Sequence, residues 1–358
     1  MMRMDAVREK LLGEKLDCYV ATGVKNIYYL TGFLDISTAT LSLVIPPEGE
    51  PTLLVARLSL NAAATQAQNC QVKAMAVGET MANRLLEELK KVSPKRAGYD
   101  TFPLQTYLTL SQGLQGTELL GRPEYVTDQR RVKDDDEVAL MRRACEMADA
   151  GMEAAIEAIR PGAKEYEIAA QAEYAMRLRG SMGAAFETLV ASGPRSAFPH
   201  GISSDREIME GELVTVDLGA TWKGYCSDIT RTVVAGKASR KDLRILRKVK
   251  EAHNRVLEEI RPGAEAAKVD GVARTVLGPS LADYFVHGLG HGVGLDIHEA
   301  PTLSWTSKDV LEAGNVVTDE PGVYIQGHGG VRTEDTVLVT SDGCVKLTSV
   351  PYPVAKGQ

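Results

Sequence analysis

Along the first 125 residues, apolar positions recur by turns at helical spacing and in short continuous runs. Asp5 to Leu16 carries a helix-period pattern, Cys18 to Ala21 is a short apolar strand, and Asn26 to Leu30 is a turn or brief helix. Thr40 to Ile45 and Pro51 to Val55 read as two strands, joined through the Pro- and Gly-bearing segment Pro46-Pro47-Glu48-Gly49-Glu50. Leu58 to Gln68 and Met81 to Val92 are helical in period around a strand from Val72 to Val77. Ala97 to Asp100 opens a further unit, and Leu104 to Leu110 leads into another helix. This alternation predicts a small layered α/β domain over residues 1–125. It contains no G-x-G-x-x-G or phosphate loop, so nothing supports a nucleotide site.

Residues 126–358 read as a second domain. The dense charge run from Gln129 to Asp136 predicts a solvated connector whose acids mark a helix start, where the helix dipole favours them. Glu137 to Ile159 then continues as a long amphipathic helix, broken at Arg160-Pro161-Gly162. Ile159-Arg-Pro-Gly-Ala163 recurs as Ile260-Arg-Pro-Gly-Ala264, each copy after an acidic amphipathic helix and before another helical segment. The shared context predicts a duplicated unit of two helices and a strand pair, with a cleft between the halves. Between the copies, Phe186 to Val190 reads as a strand, and a Gly/Pro/Ser-rich loop carries Arg195 and His200. Val214 to Val234 alternates apolar and polar residues about a Trp222-Lys223-Gly224 turn, which predicts a β-hairpin.

Composition narrows the class. Hydrophobic residues make up 44% and charged residues 25%, an ordinary globular balance, and a net charge of −7 gives no general attraction for nucleic acid or anionic membrane. No run approaches the roughly 18 apolar residues that span a bilayer. Met1-Met2-Arg3-Met4-Asp5 leads into a helical pattern instead of an apolar signal segment. Five scattered cysteines without paired spacing fit a reducing compartment, so a cytoplasmic location is expected.

The hairpin introduces chemistry. With its turn centred between Trp222 and Lys223, Asp217 and Asp228 fall directly opposite each other, roughly 4.5–5.5 Å apart at Cβ. Two carboxylates there repel unless a cation lies between them. Further ligands follow: His287 and His291 in His-Gly-Leu-Gly-His-Gly, then His298-Glu299, Asp319-Glu320-Pro-Gly and Arg332-Thr-Glu334-Asp335. Oxygen and imidazole donors without thiolates suit one or two divalent ions such as Mn²⁺, Co²⁺ or Zn²⁺.

Six motifs in order carry a resemblance: His200-Gly-Ile-Ser-Ser-Asp205, Val216-Asp-Leu-Gly-Ala220, Ser227-Asp-Ile-Thr-Arg-Thr232, His287 to Glu299, Glu320-Pro-Gly-Val-Tyr324 and Gly330-Val-Arg-Thr-Glu-Asp335. Together they resemble the Xaa-Pro peptidases, proline dipeptidase and aminopeptidase P, within the pita-bread metallopeptidases. The resemblance spans the chain and implies a creatinase-like domain at 1–125 followed by a pseudo-twofold α+β catalytic domain at 126–358. It implies Asp217, Asp228, His291, Glu320 and Glu334 as ligands of two divalent ions, Mn²⁺ foremost, with Asp228 and Glu334 bridging. Glu320 would also shuttle protons, while His298 and His200 contact substrate and stabilise the tetrahedral intermediate. Arg332 would orient Glu334 or bind a substrate carboxylate. His287 reads as a support of the Gly-rich loop. The substrates implied are short peptides with proline at the second position, and the implied assembly is a homodimer or larger homo-oligomer.

Asp319 departs from the pattern, since many relatives carry an apolar residue before Glu-Pro-Gly. On a strand its side chain points away from that of Glu320, toward a contact on the opposite face. Within the family, an aminopeptidase is expected over a dipeptidase, because a dipeptidase needs a cation at the free proline carboxylate. The loop from Ser192 to Pro199 offers only Arg195, and Arg332 is expected to be engaged by the metal-site carboxylates. A non-catalytic peptide-binding relative is the alternative outside catalysis, and the complete ligand set speaks against it.

Overall fold

The structure, a computed structural model, describes residues 3–35 and 40–352. Met1 and Met2, read above as the approach to the first helix, lie outside them. The chain forms two compact units, residues 1–130 and 131–358.

In the first unit a six-stranded sheet runs in the order Gln71–Ala74, Thr52–Val55, Ser42–Ile45, Cys18–Ala21, Arg96–Tyr99, Glu118–Gly121. Cys18–Ala21 is antiparallel to Ser42–Ile45 and parallel to Arg96–Tyr99. All four of its residues are buried, as expected of a strand covered on both faces. Helix Met81–Val92 packs Leu85 and Leu89 onto the sheet beside Leu110 from helix Leu104–Gly113.

The charge run is not a solvated connector. Its first part belongs to a helix, Glu124–Arg131, in which Arg130 is buried. Lys133 is buried too, its Nζ 2.6 Å from Glu299 Oε1. A long apolar stem lets a basic residue enter the interior once its head finds a carboxylate. The acids behave as expected of a helix start. Asp134 Oδ1 accepts from the Glu137 N–H at 2.8 Å and Glu137 Oε2 accepts from the Asp134 N–H at 3.1 Å, a reciprocal cap on helix Asp135–Ala158.

The second unit is built twice. Helices Asp135–Ala158 and Glu165–Leu178 precede the strands Leu189–Ser192, Leu213–Leu218 and Ile229–Val234. Helices Arg240–Leu257 and Ala266–Leu277 precede Gly290–Gly292, Val316–Asp319 and Asp335–Val339. The repeated Ile-Arg-Pro-Gly-Ala segments adopt one conformation. Gly162 and Gly263 have φ of 85° and 82°, a left-handed turn that glycine enters without steric cost. The Gly162 and Gly263 N–H groups donate to Ile208 O and Leu311 O, both at 2.8 Å, and Ala163 O and Ala264 O accept from the same two residues at 2.9 Å. Each half has its own apolar core, one around Met152, Ile168 and Val216, the other around Val249, Val269 and Val317. The halves meet where Thr230 bridges to Glu334, whose N–H donates to Thr230 O at 3.1 Å. This duplication gives the pseudo-twofold catalytic domain expected from the sequence, with at least three sheet strands in each half where a strand pair was expected.

Candidate metal centre

The Leu213–Leu218 and Ile229–Val234 strands pair antiparallel, with Asp217 opposite Thr230 and not opposite Asp228. Trp222 pairs with Tyr225 around a two-residue turn in which Lys223 and Gly224 both have positive φ, 44° and 81°. Such a turn matches strand twist, and it centres the hairpin between Lys223 and Gly224, one position later than expected. Moving the centre by one residue shifts each partner by two, so Asp228 stays on the same face in the regular register. The two carboxylates therefore meet diagonally.

The other half supplies the remaining groups. Val316–Asp319 and Asp335–Val339 pair with Asp319 opposite Asp335. Glu320 directly follows one strand and Glu334 directly precedes the other, so both reach the same end of the sheet. Gly290–Gly292 joins at Gly292 opposite Val317 and carries His291. Thr318 ties them together, its hydroxyl accepting from the His291 N–H at 3.0 Å and donating to Glu320 Oε1 at 3.2 Å. Ligand atoms of Asp228, His291 and Glu334 all lie within 4.8 Å of one another. His291 Nε2 stands 3.4 Å from Glu320 Oε1 and 3.7 Å from Asp228 Oδ2.

Electrostatics show what this arrangement lacks by itself. Burial, then repulsion from Glu334 and Asp217, pushes Asp228 well above the carboxylate range; burial, then Glu320 and Asp217, does the same to Glu334. Burial raises Glu320 to about 8, although Arg332 works against it. Burial and neighbouring His298 lower His291 to about 4, so its ring is neutral at pH 7. Its Nδ1 lies 3.1 Å from the Gly292 carbonyl, which can only accept. The proton therefore sits on Nδ1, and the Nε2 lone pair faces the carboxylates. Asp217 Oδ1 is buried without a hydrogen-bond partner among the described residues. An acceptor-only lone pair, an orphaned carboxylate oxygen and three crowded carboxyls fit a divalent cation, which would satisfy all of them at once.

These groups open into a cavity of about 560 Å³ lined by Asp217, Asp228, His291, Glu320, Glu334, His200, His298, His287 and Arg332. Every residue singled out as a ligand or catalytic group thus reaches one cavity. The His298 ring stands edge-on to His291 at 4.2 Å between centroids, and burial, then His200, lowers its pKa. Phe186, Leu189, Pro199, Ile202 and Ile297 supply an apolar wall.

Arg332 is engaged by a carboxylate of the candidate metal site, as expected, but by Asp217 instead of Glu334. Its Nη2 is 2.5 Å from Asp217 Oδ2, and its Nε donates to Thr230 Oγ1 at 3.1 Å. Thr230 donates in turn to Glu334 Oε2 at 2.6 Å, so Arg332 reaches Glu334 only through a hydroxyl. Arg332 Nη1 donates to Tyr324 OH at 2.7 Å, and Tyr324 OH lies 2.8 Å from His287 Nε2. The other ring nitrogen of His287 is 2.7 Å from Gly288 O, which makes Nδ1 the donor and leaves Nε2 to accept from the tyrosine. Burial, then Arg332, lowers His287 to about 4. Arg195 does not reach the cavity. Its guanidinium pairs with buried Glu165 and donates to Ser204 Oγ at 2.8 Å and Ile202 O at 2.7 Å. Thr230, Thr318 and Tyr324 were missed as supports of the site. The alternating threonines at 230 and 232 of a buried strand are the one sequence signal that marks any of them.

Comparison with known proteins follows the two units. Residues 139–341 match metallopeptidase family M24, and residues 3–132 match the creatinase/prolidase N-terminal domain. Over 226 residues, 63% of this chain, the sequence is 47% identical to the Xaa-Pro dipeptidase of Pyrococcus furiosus; the match spans 65% of that relative's length. The solved prolidase of Pyrococcus horikoshii OT3 is similar at a TM-score of 0.92 and 36% identity, covering 98% of this chain and 99% of that one. An X-Pro aminopeptidase from Thermotoga maritima MSB8 is similar at 0.87 and 30% identity, covering 97% and 99%.

Proposed function

The chain belongs to metallopeptidase family M24, and on that footing we propose that it is a metal-dependent Xaa-Pro peptidase whose preferred substrate is the dipeptide. The observation that carries the activity is the cluster of Asp228, His291 and Glu334 at the floor of an open cavity. The dipeptide preference is supported by the Pyrococcus relatives, an Xaa-Pro dipeptidase and a prolidase. It replaces the preference for longer peptides expected from sequence. The relatives alone carry this choice, since Arg195 is committed to Glu165 and Arg332 to Asp217.

Asp217, Asp228, His291, Glu320 and Glu334 would hold two divalent ions, and four carboxylates with one imidazole and no thiolate favour Mn²⁺, with Co²⁺ or Zn²⁺ as substitutes. Bound there, the ions lower the pKa of water and withdraw electron density from the scissile carbonyl. Glu320, whose Oε1 lies 3.4 Å from His291 Nε2 and accepts from Thr318, would take a proton from the attacking water and return it to the proline nitrogen. His298 and His200 stand on the wall to donate to the oxygen that gains charge. The apolar wall suits the pyrrolidine ring, which offers no N–H to satisfy.

Chelation should abolish release of alanine from Ala-Pro, and Mn²⁺ should restore it. A higher kcat/KM for Ala-Pro-Ala than for Ala-Pro would make the chain an aminopeptidase, the reading that the Thermotoga structure favours. All five cysteines are free, which supports a reducing, cytoplasmic setting, and no described helix is long and apolar enough to cross a membrane. A homodimer is supported by Tyr166, Tyr174 and Leu178, exposed along helix Glu165–Leu178.

A further inference from the structure

Away from the cavity, the same two strands carry a second charged group that the chemistry above does not use. Asp319 and Asp335 are directly opposed, fully buried, and absent from the cavity lining, while Glu320 and Glu334, their chain neighbours, line it. Opposed residues stand roughly 4.5–5.5 Å apart at Cβ, so two carboxylates here would force the strands apart or take up protons. His253, from the interior of helix Arg240–Leu257 and with no exposed surface, lies against both. Its Nδ1 is 3.0 Å from Asp319 Oδ2 and its Nε2 3.0 Å from Asp335 Oδ2.

The two aspartates are not equally supported. Asp335 also accepts from Arg231 Nη2 at 2.7 Å and Thr348 Oγ1 at 2.7 Å, and Lys346 Nζ lies 3.1 Å away. Asp319 has His253 as its one cation within ion-pair distance among the described residues, and neither of its carboxylate oxygens has a hydrogen-bond partner there. Burial opposes a charge on the imidazole, yet Asp319 and Asp335 outweigh it and hold His253 up to about 9. The ring is therefore doubly protonated at neutral pH: Nδ1 donates to the Asp319 carbonyl at 3.3 Å and meets its carboxylate as an ion pair, without a hydrogen bond to either carboxylate oxygen, while Nε2 faces Asp335 Oδ2 at 3.0 Å and Tyr352 OH at 2.8 Å.

We propose that His253 is a positioning residue of the metal centre, clamping Asp319 to Asp335 and thereby fixing the spacing at which Glu320 and Glu334 present their carboxylates to a divalent cation. This rests on the reading of Glu320 and Glu334 as ligands. Strain at either aspartate passes to its neighbour through a single peptide unit, and loss of a group that orients a ligand typically costs about 10–100-fold in metal affinity.

The test is Mn²⁺ titration by calorimetry of the full chain, together with the electron paramagnetic resonance spectrum of the bound ion. H253Q should bind Mn²⁺ about ten-fold or more weakly and broaden the spectrum, and D319N should weaken binding in the same direction. H253L/D319V removes the imidazolium and its Asp319 partner together, leaves Asp335 with Arg231 and Lys346, and should recover most of the affinity. V249A, a core truncation on the same helix, should lower the melting temperature without changing affinity. Wild-type affinity in H253Q, a double variant as weak as the single, or an equal loss in V249A would each overturn the proposal. Should H253Q not fold, D319N and the double variant decide it alone. Failure of the wild type itself to bind Mn²⁺ overturns the metal-centre reading and this inference together, whereas binding by wild type and H253Q alike overturns only the inference.

Discussion

Asp228 and Glu334 are the residues on which the cluster turns, since both crowd the same space and both are driven toward protonation by burial and by each other. Asp228→Asn or Glu334→Gln should remove at least one Mn²⁺ per chain, read by elemental analysis, and lower kcat on Ala-Pro by at least about 100-fold, roughly 3 kcal/mol in the barrier. His287→Gln should act far less, because His287 accepts from Tyr324 and donates to Gly288 and holds the loop without facing the carboxylates. The same residues set a pH dependence. In the metal-free protein Glu320 is raised to about 8, so its cost to stability is absent below its unfolded value and complete above pH 8. His253 is raised to about 9, so the stability it contributes is complete below about 6.5 and lost as pH rises through 9. His287 and His291, lowered to about 4, stabilise above about 6.5 and lose this as pH falls through 4. Between about pH 6.5 and 9 Glu320 and His253 both act downward, and Asp228 and Glu334, raised by burial and by neighbouring carboxylates, act in the same direction. Calorimetric melting of the chelated protein should therefore fall over that window, and excess Mn²⁺ should reverse the trend, because ligands must be deprotonated to bind.

At the scale of the element, the duplicated Ile-Arg-Pro-Gly-Ala turns are an internal control. Gly162 and Gly263 hold equivalent left-handed conformations, and an added Cβ at either meets no other atom within 4 Å. Alanine at either site should cost about 1–2 kcal/mol from backbone strain alone. The two costs should add in urea denaturation of the double variant, since the turns belong to separate halves. The helix that opens the second unit gives a companion measurement. Asp134→Ala removes one arm of its cap and should destabilise by about 1 kcal/mol, while metal affinity stays unchanged.

For the whole molecule, the proposed ligands come from both halves of one unit, Asp217 and Asp228 from the first and His291, Glu320 and Glu334 from the second. A cation held between them binds the folded chain alone, so it stabilises by mass action. Free Mn²⁺ at about 100 times its Kd should add about 2.7 kcal/mol to the unfolding free energy. Asp228→Asn should lose most of that increment while melting normally without metal. Sedimentation velocity at micromolar concentration should show a dimer or larger species.

Much was determined by local sequence. Helical period placed Met81–Val92 and the long helix before Arg160-Pro-Gly, and breakers placed the repeated turns, because these depend on neighbours within a few positions of the chain. The ordered motifs likewise named the five candidate ligands and the histidines and arginine that line the cavity, though not Glu187 or the apolar residues of its wall. Tertiary structure decided what depends on distant partners. The hairpin register turned on the positive φ of Lys223, a non-glycine residue in which the sequence shows no such demand. Lys133 entered the interior because Glu299, far along the chain, was there to receive it. Arg195 was withdrawn from the site by Glu165, and Arg332 was given to Asp217. Asp319 was legible as an anomaly beside Glu320, yet its partner His253 lies 66 residues away on a helix whose pattern marks only a buried position. Burial of a charge is decided by whether a compensating charge arrives at the same point, and no local pattern carries that information.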